Sequence, residues 1–362
     1  MKKTKILFVA QNLCVGGVQK AFVNLLNKAA KSGRYDISVF TFAKGALESE
    51  VPHDIPIMVG GKILQLSATP VGNIKAAGNV MNMAMRVFIT VFAKIIGSER
   101  FYKLCFRKQK EKYDIAVSYF TDIPVGVFNK GTNLYVSDFV NAEKKIAWIH
   151  TDPILSGLDK EYCRRIYKPF DKIICVSEAV KQKFNTLLPE YSEKTETRHN
   201  VFDEEKIKKL ALEFEPFTKS RFDIVTVARI DNASKRIDGI VNICYQLKKK
   251  GISGFCWRII GNGPDLNSNL ELANKLGVDD VIIFEGERIN PYPYIYKSDL
   301  FALYSAYEGF PLVIGEALIL KTPILTTNYA AAREQIPPDS GTISNSDEEF
   351  FRYLKNHLIR NN

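Results

Sequence analysis

Residues 300–320 read LFALYSAYEGFPLVIGEALIL. Leu300–Tyr304 is a short apolar run of strand length. Gly309-Phe310-Pro311 then breaks it, and residues 311–320 carry helical spacing behind a proline suited to an early helical position. This is one strand–loop–helix unit, and the same unit recurs on both sides of it. Strands are expected at Phe222–Ala228, Phe255–Ile260, Val281–Phe284 and Pro323–Thr326, with helices at about 236–249 and 265–276. Upstream, Lys5–Ala10, Ile37–Phe42, Asp114–Tyr119, Lys145–Ile149 and Lys172–Val176 read as strands. Val18–Lys31 places Phe22, Leu25, Leu26 and Ala29 on one helical face. Strands alternating with helices imply parallel sheets covered on both sides. The polar stretch LPEYSEKTETRHNVFDEE at 188–205 divides the series. The expected organisation is α/β, with two Rossmann-like domains at 1–198 and 199–362 facing one another across a cleft.

Composition narrows the class further. The chain has 362 residues, 46% hydrophobic and 25% charged, which excludes collagen, disorder and a disulfide scaffold. Its net charge of +10 is uneven, at +12 over residues 1–200 and −2 over 201–362. A basic half suits phosphates, nucleic acid or an anionic membrane. Cys14, Cys105, Cys163, Cys175, Cys244 and Cys256 form no CxxC pair and read as small hydrophobes in a reducing compartment. Scattered Cys and four His supply no zinc-ligand spacing. The N-terminal MKKTKILFVAQN reads as a first strand, not a signal peptide, and no apolar stretch reaches transmembrane length.

In parallel sheets ligands bind beyond the carboxyl ends of the strands, so the residues following each strand are the site candidates. Gly16-Gly17 precede the first helix, where bare N–H groups suit an anion; a tight turn accounts for the pair equally well. His150 follows a strand in WIHTDP and is either a site residue or a hydrogen-bonded structural one. Arg229 closes one strand and Lys235 opens the next helix, against the helix dipole, a placement that an anion would offset. A surface Lys-Arg pair is the plainer alternative. GNGPDL after Ile260 is ordinary turn chemistry. Glu308 lies in the loop after Tyr304, and Glu316 follows eight residues later on the helix. Carboxylates there suit sugar and ribose hydroxyls, or they stabilise the helix start.

The run E-G-F-P-L-V-I-G-E-A, with seven residues between Glu308 and Glu316, resembles the signature of the retaining glycosyltransferases of family 4, which have the GT-B fold. WIHTD, VSEAVKQKF at 176–184, HNVFD at 199–203, IIGNGP at 259–264, FEGER at 284–288 and Asp299 follow the family's order over nearly the whole chain. The resemblance implies a retaining transfer of a sugar from a nucleotide-sugar donor, UDP-linked rather than GDP-linked, to a saccharide acceptor. The acceptor would be lipid-linked, in surface polysaccharide or capsule synthesis. The diphosphate is expected on Arg229, Lys235 and the Gly16-Gly17 loop. The sugar is expected on Glu308, on His150 and on backbone of Gly309, Phe310, Pro311 and Leu312; the ribose on Glu316; and the base near Glu287 and Arg288. His150, Glu308, Arg229 and Lys235 are the implied catalytic set. No DxD occurs in the chain, and neither a metal nor a cofactor is expected. Two features depart from the family pattern: Gln19 stands where a Glu is usual, and Ala330-Ala331-Ala332 replaces a Gly-rich loop. The family often continues beyond the position of Asn362 with helices that cross back, so a shortened or truncated end is expected.

One segment fits no plain βα repeat. Residues 71–112 mix apolar side chains with cations, and residues 75–112 hold nine basic and two acidic residues. Solvated surface helices explain it, as does a patch touching anionic headgroups. The second reading makes the protein peripheral on the cytoplasmic face of the membrane. A basic nucleic-acid- or membrane-binding module without transferase activity is the alternative function; no RNA-binding signature or helix-turn-helix supports nucleic acid.

Overall fold

The computed structural model describes residues 3–361. The chain forms two compact units, divided between Val201 and Phe202. The first carries β1 (Thr4–Asn12), β2 (Tyr35–Ala43), β3 (Ile57–Val59), β4 (Lys112–Ser118), β5 (Asn141–Ile149), β6 (Lys172–Cys175) and β7 (Thr195–Thr197). They form one sheet in the order β3-β2-β1-β4-β5-β6-β7. The second unit carries β8 (Phe222–Val227), β9 (Phe255–Ile260), β10 (Ile282–Gly286), β11 (Leu300–Leu303), β12 (Ile324–Thr327) and β13 (Gly341–Ser344). Their order is β10-β9-β8-β11-β12-β13. Every strand pair is parallel, with Ile6 opposite Ile115 and Leu300 opposite Ile224 at the two central pairings.

Each unit is thus a doubly wound Rossmann-like domain, and together they make up the α/β class expected for GT-B. The chain reverses its direction of winding beside β1 and β4 in one sheet, and beside β8 and β11 in the other. Those two switch points are where loops diverge and leave room for a ligand.

The strands are apolar on both faces because helices cover both. Leu7, Val9, Val39, Ala116, Ala147 and Ile173 are wholly buried in the first sheet; Ile224, Phe255, Trp257, Leu300 and Phe301 are in the second. Two polar groups in the second core are mutually satisfied. Trp257 Nε1 donates to Thr226 Oγ1 at 3.0 Å, and that hydroxyl donates to Ala302 O at 2.6 Å. Five cysteines are buried and Cys105 half-buried, all six with free thiols, as small hydrophobes should be.

The segment 71–112 forms three helices, Val71–Ala76, Val80–Ile96 and Ser98–Cys105. The last two meet at a 118° bend. Gly97 makes the bend with φ 86°, a left-handed conformation that a side chain would strain. Among the described residues no single helix is long and apolar enough to cross a membrane.

Candidate functional site

The second switch point gathers most of the expected residues. Beyond β11 the loop carries Ser305 and Glu308. Beyond β8, Arg229 leads into a one-turn helix, Asn232–Lys235. Lys235 therefore closes a short helix two residues before Ile237–Lys249 begins, instead of opening the longer one. The two loops are tied by the Ala306 N–H donating to Ser234 O at 2.8 Å. Lys235 Nζ pairs with Glu308 Oε1, and the Ser305 hydroxyl donates to the same oxygen at 2.7 Å. The side chains are 21% and 10% exposed, so the pair is mostly withdrawn from water. Arg229, at the start of the same loop after β8, is exposed and makes no ion pair among the described residues.

Three local devices hold this arrangement. Arg236 follows Lys235 with φ 48°, unusual for a residue with a side chain. Its guanidinium is clamped by Asp347 at 2.9 and 2.6 Å, by the Tyr304 hydroxyl at 2.9 Å, and by the face of the Tyr304 ring at 4.1 Å. Asn232 forms the second device: its N–H donates to Asp265 Oδ2 at 2.7 Å, and its Oδ1 accepts from Asn269 Nδ2 at 2.9 Å. The third is GNGP. A Cβ on Gly261 would lie 1.8 Å from Ala228 O, and one on Gly263 would lie 2.1 Å from Ile230 O. The turn lies flush against the loop bearing Arg229, and only glycine admits that approach.

The helix Leu312–Ile319 starts after Pro311, which is the N-cap and not the first helical residue. The orphan N–H groups of a helix start, with its positive dipole end, follow Gly309-Phe310 in the chain. Pro311 O accepts from Gln335 Nε2 at 2.8 Å, and Gln335 Oε1 accepts from the buried Tyr329 hydroxyl at 2.8 Å, which fixes the helix entry. Glu316 is buried and accepts from Tyr292 Oη at 3.1 Å. Glu287 and Arg288 follow β10 and are exposed; Arg288 reaches Glu285 at 3.5 Å. Glu285 is itself held by Arg258 at 2.8 Å.

The first unit has its own switch point. Helix Gly17–Lys31 begins one residue earlier than its spacing indicated, with Gly16 as an extended N-cap. The buried Asn12 at the end of β1 organises this loop. Its Oδ1 accepts from Cys14 N at 3.1 Å and from Gln19 Nε2 at 2.9 Å. Gln19, the departure from the family pattern, thus folds back over Gly16. After β5, the His150 N–H donates to Thr121 Oγ1 at 2.7 Å, and its ring lies 4.6 Å from that of Tyr119. The imidazole hydrogen-bonds the Tyr119 backbone, while its buried Nε2 lacks a hydrogen-bond partner among the described residues. Burial pushes His150 down to about 3, so the ring is neutral at physiological pH.

Sequence reasoning passed over Asp122, after β4. It accepts from the N–H groups of Gly131, Thr132 and Asn133 and from the Thr132 hydroxyl. Burial nonetheless pushes its carboxyl up to about 6. The only sequence signal was a lone Asp in YFTDIP after an apolar run. Among the described residues no group of three His, Cys, Asp or Glu is placed to hold a metal ion.

Residues 221–358 match the family model described as Glycosyl transferases group 1. An uncharacterized glycosyltransferase of Methanocaldococcus jannaschii is 25% identical over 255 residues, covering 66% of this chain and 61% of that protein. A second relative is the N-acetylgalactosamine-N,N'-diacetylbacillosaminyl-diphospho-undecaprenol 4-alpha-N-acetylgalactosaminyltransferase of Campylobacter jejuni. It is 30% identical over 169 residues, covering 46% of this chain and 44% of that protein. The chain thus spans less than two thirds of the length of either relative. Among solved structures, Anabaena HepE in complex with UDP and glucose superposes with a TM-score of 0.67 at 18% identity, covering 99% of this chain and 89% of that one. The structural likeness shows the GT-B fold, and the glycosyl transferase likeness in sequence lies in residues 221–358.

Proposed function

We propose that the protein is a retaining glycosyltransferase that moves a sugar from a nucleotide-sugar donor to a saccharide acceptor. The observation that carries this reading is the Lys235–Glu308 pair at the second switch point, with the exposed Arg229 in the same loop after β8. Two cations suit a diphosphate, and a carboxylate suits sugar hydroxyls. The bound UDP of the HepE structure supports UDP over GDP as the donor base. The match of residues 221–358 to a glycosyltransferase model favours this reading over a basic binding module.

In the proposed reaction the bond from the sugar's anomeric carbon to the diphosphate oxygen breaks. A bond to the acceptor oxygen forms on the same face. The acceptor's proton passes to the departing diphosphate. Negative charge builds on that leaving group, and Arg229 and Lys235 stabilise it without a metal. Lys235 is already neutralised by Glu308, so donor binding redistributes this pair: the ammonium turns to phosphate and the carboxylate to the sugar. Backbone N–H groups of Gly309–Leu312 complete the sugar site. Glu316 takes the ribose, once its bond from Tyr292 is shared, and Glu287 and Arg288 border the base. In the first unit, considered by itself, Gly16, Gly17 and His150 are the candidate residues, His150 as a neutral hydrogen-bonding ring.

The diphospho-undecaprenol named for the Campylobacter relative supports a lipid-linked acceptor; surface polysaccharide or capsule synthesis at the cytoplasmic face of a membrane is the setting this reading implies. Incubation with UDP- and GDP-sugars, reading free nucleotide, tests the proposal. Release that persists in an Arg229→Ala/Glu308→Ala variant sinks the site assignment.

A further inference from the structure

The helix Val80–Ile96 is turned inside out for a surface helix. Only Ile89 and Ala93 are buried. Val80, Met81, Phe88, Val91 and Ile95 are all exposed, with Phe88 at 70% and Ile95 at 76%. At 3.6 residues per turn they fall on one face. Phe88 and Phe92 stack along it with rings nearly parallel. Such a stripe is large for a monomer's surface.

The opposite face is firmly held. The Arg86 guanidinium donates to Leu66 O at 2.6 Å and to Ser67 O, and lies 4.4 Å over the Phe128 ring. Asn79 caps the start, its Oδ1 accepting from Asn82 N at 2.9 Å. The stripe is therefore presented outward by a fixed helix. Cations flank it in the chain: Lys94 stands on the helix itself, Lys75 in the helix before it and Arg100 in the helix after it, all exposed.

We propose that this helix lies in the plane of an anionic bilayer, its apolar stripe inserted and its flanking cations on the headgroups. Seventeen residues are too few to cross comfortably, and the sharp bend at Gly97 turns the chain back. A second copy is a poorer occupant, because a two-fold contact sets the same cations against themselves. An anionic surface instead complements them. The proposal deepens the membrane-side reading of the acceptor and rests on it. It places the grip in the stripe of Val80–Ile96 and not in the cation run at 103–110.

Sedimentation of the full chain with phosphatidylglycerol–phosphatidylcholine vesicles, and with phosphatidylcholine alone, tests this. The wild type should pellet with the anionic vesicles and far less with the neutral ones. Phe88→Ser/Ile95→Ser should weaken binding about tenfold or more, with thermal unfolding unchanged because both side chains are exposed. Lys75→Glu/Lys94→Glu should weaken binding to anionic vesicles only. Full binding by the serine variant overturns the proposal, as does a wild type that ignores vesicles. So does a concentration-dependent dimer that the serine variant abolishes while vesicle binding stays absent. Nucleotide release from soluble donor is scored separately: a wild type that releases nucleotide but ignores vesicles overturns the docking face and leaves the transferase reading standing.

Discussion

Replacing Lys235 with Ala removes the cation from a pair whose carboxylate is 10% exposed. Breaking a fully buried pair costs about 3–5 kcal/mol, and an exposed pair is worth about 0–1 kcal/mol. With both side chains mostly but not wholly withdrawn, the expected loss is about 2 kcal/mol. For a unit of this size that is a fall in Tm of about 4–8 °C. Most of it comes from leaving Glu308 buried beside Ser305 without its counter-charge. The double variant Lys235→Ala/Glu308→Ala should therefore recover much of the loss. Differential scanning fluorimetry on the two single variants and the double variant measures the coupling. A double variant at least as unstable as the sum of the singles refutes the idea that Glu308 depends on Lys235.

Arg229→Ala should leave stability within about 0.5 kcal/mol, since the side chain is exposed and unpaired, yet lower nucleotide release about 10–150-fold through a lost charge-assisted bond of about 1.5–3 kcal/mol. Parallel unfolding and release assays separate the two. Gly261→Ala drives a Cβ against Ala228 O and should destabilise by about 1–3 kcal/mol in urea titrations, with a further loss of donor binding because the Arg229 loop shifts. His150 is neutral when folded, with a value near 3 against 6.5 in the ordinary state, so the unfolded chain binds the proton first. Its contribution to stability is present above about 6.5 and is lost as pH falls towards 3. Urea unfolding at about pH 7.5 and 5 should show this slope in the wild type and a smaller one in His150→Phe.

The sheets were legible because their central strands are buried on both faces and read as unbroken apolar runs, as at Phe255–Ile260. The edge strands β3, β7 and β13 escaped, being only three or four residues long; β7 and β13 are also rich in small or polar side chains such as Thr195-Glu196-Thr197. The loops bearing Arg229, Lys235 and Glu308 were legible from strand ends. Their mutual contact was not, since Lys235 and Glu308 are 73 residues apart in the chain. Asp122 and the left-handed Arg236 were equally hidden: one is defined by a helix it caps, the other by partners 68 and 111 residues away. The basic segment declared its composition, but composition does not say which face a helix turns to solvent. That depended on where Arg86 found carbonyls to grip.

Arg236 also sets a trap for protein engineers. A stabilisation protocol that swaps left-handed residues for glycine would choose this position, and Asp347→Ala at the start of the C-terminal helix would look harmless. Either change releases the same tether, because Asp347, the first residue of that helix, is what holds Arg236 over Tyr304. A variant made this way would carry a wandering Lys235. It would look well folded while its Lys235–Glu308 pair had come apart.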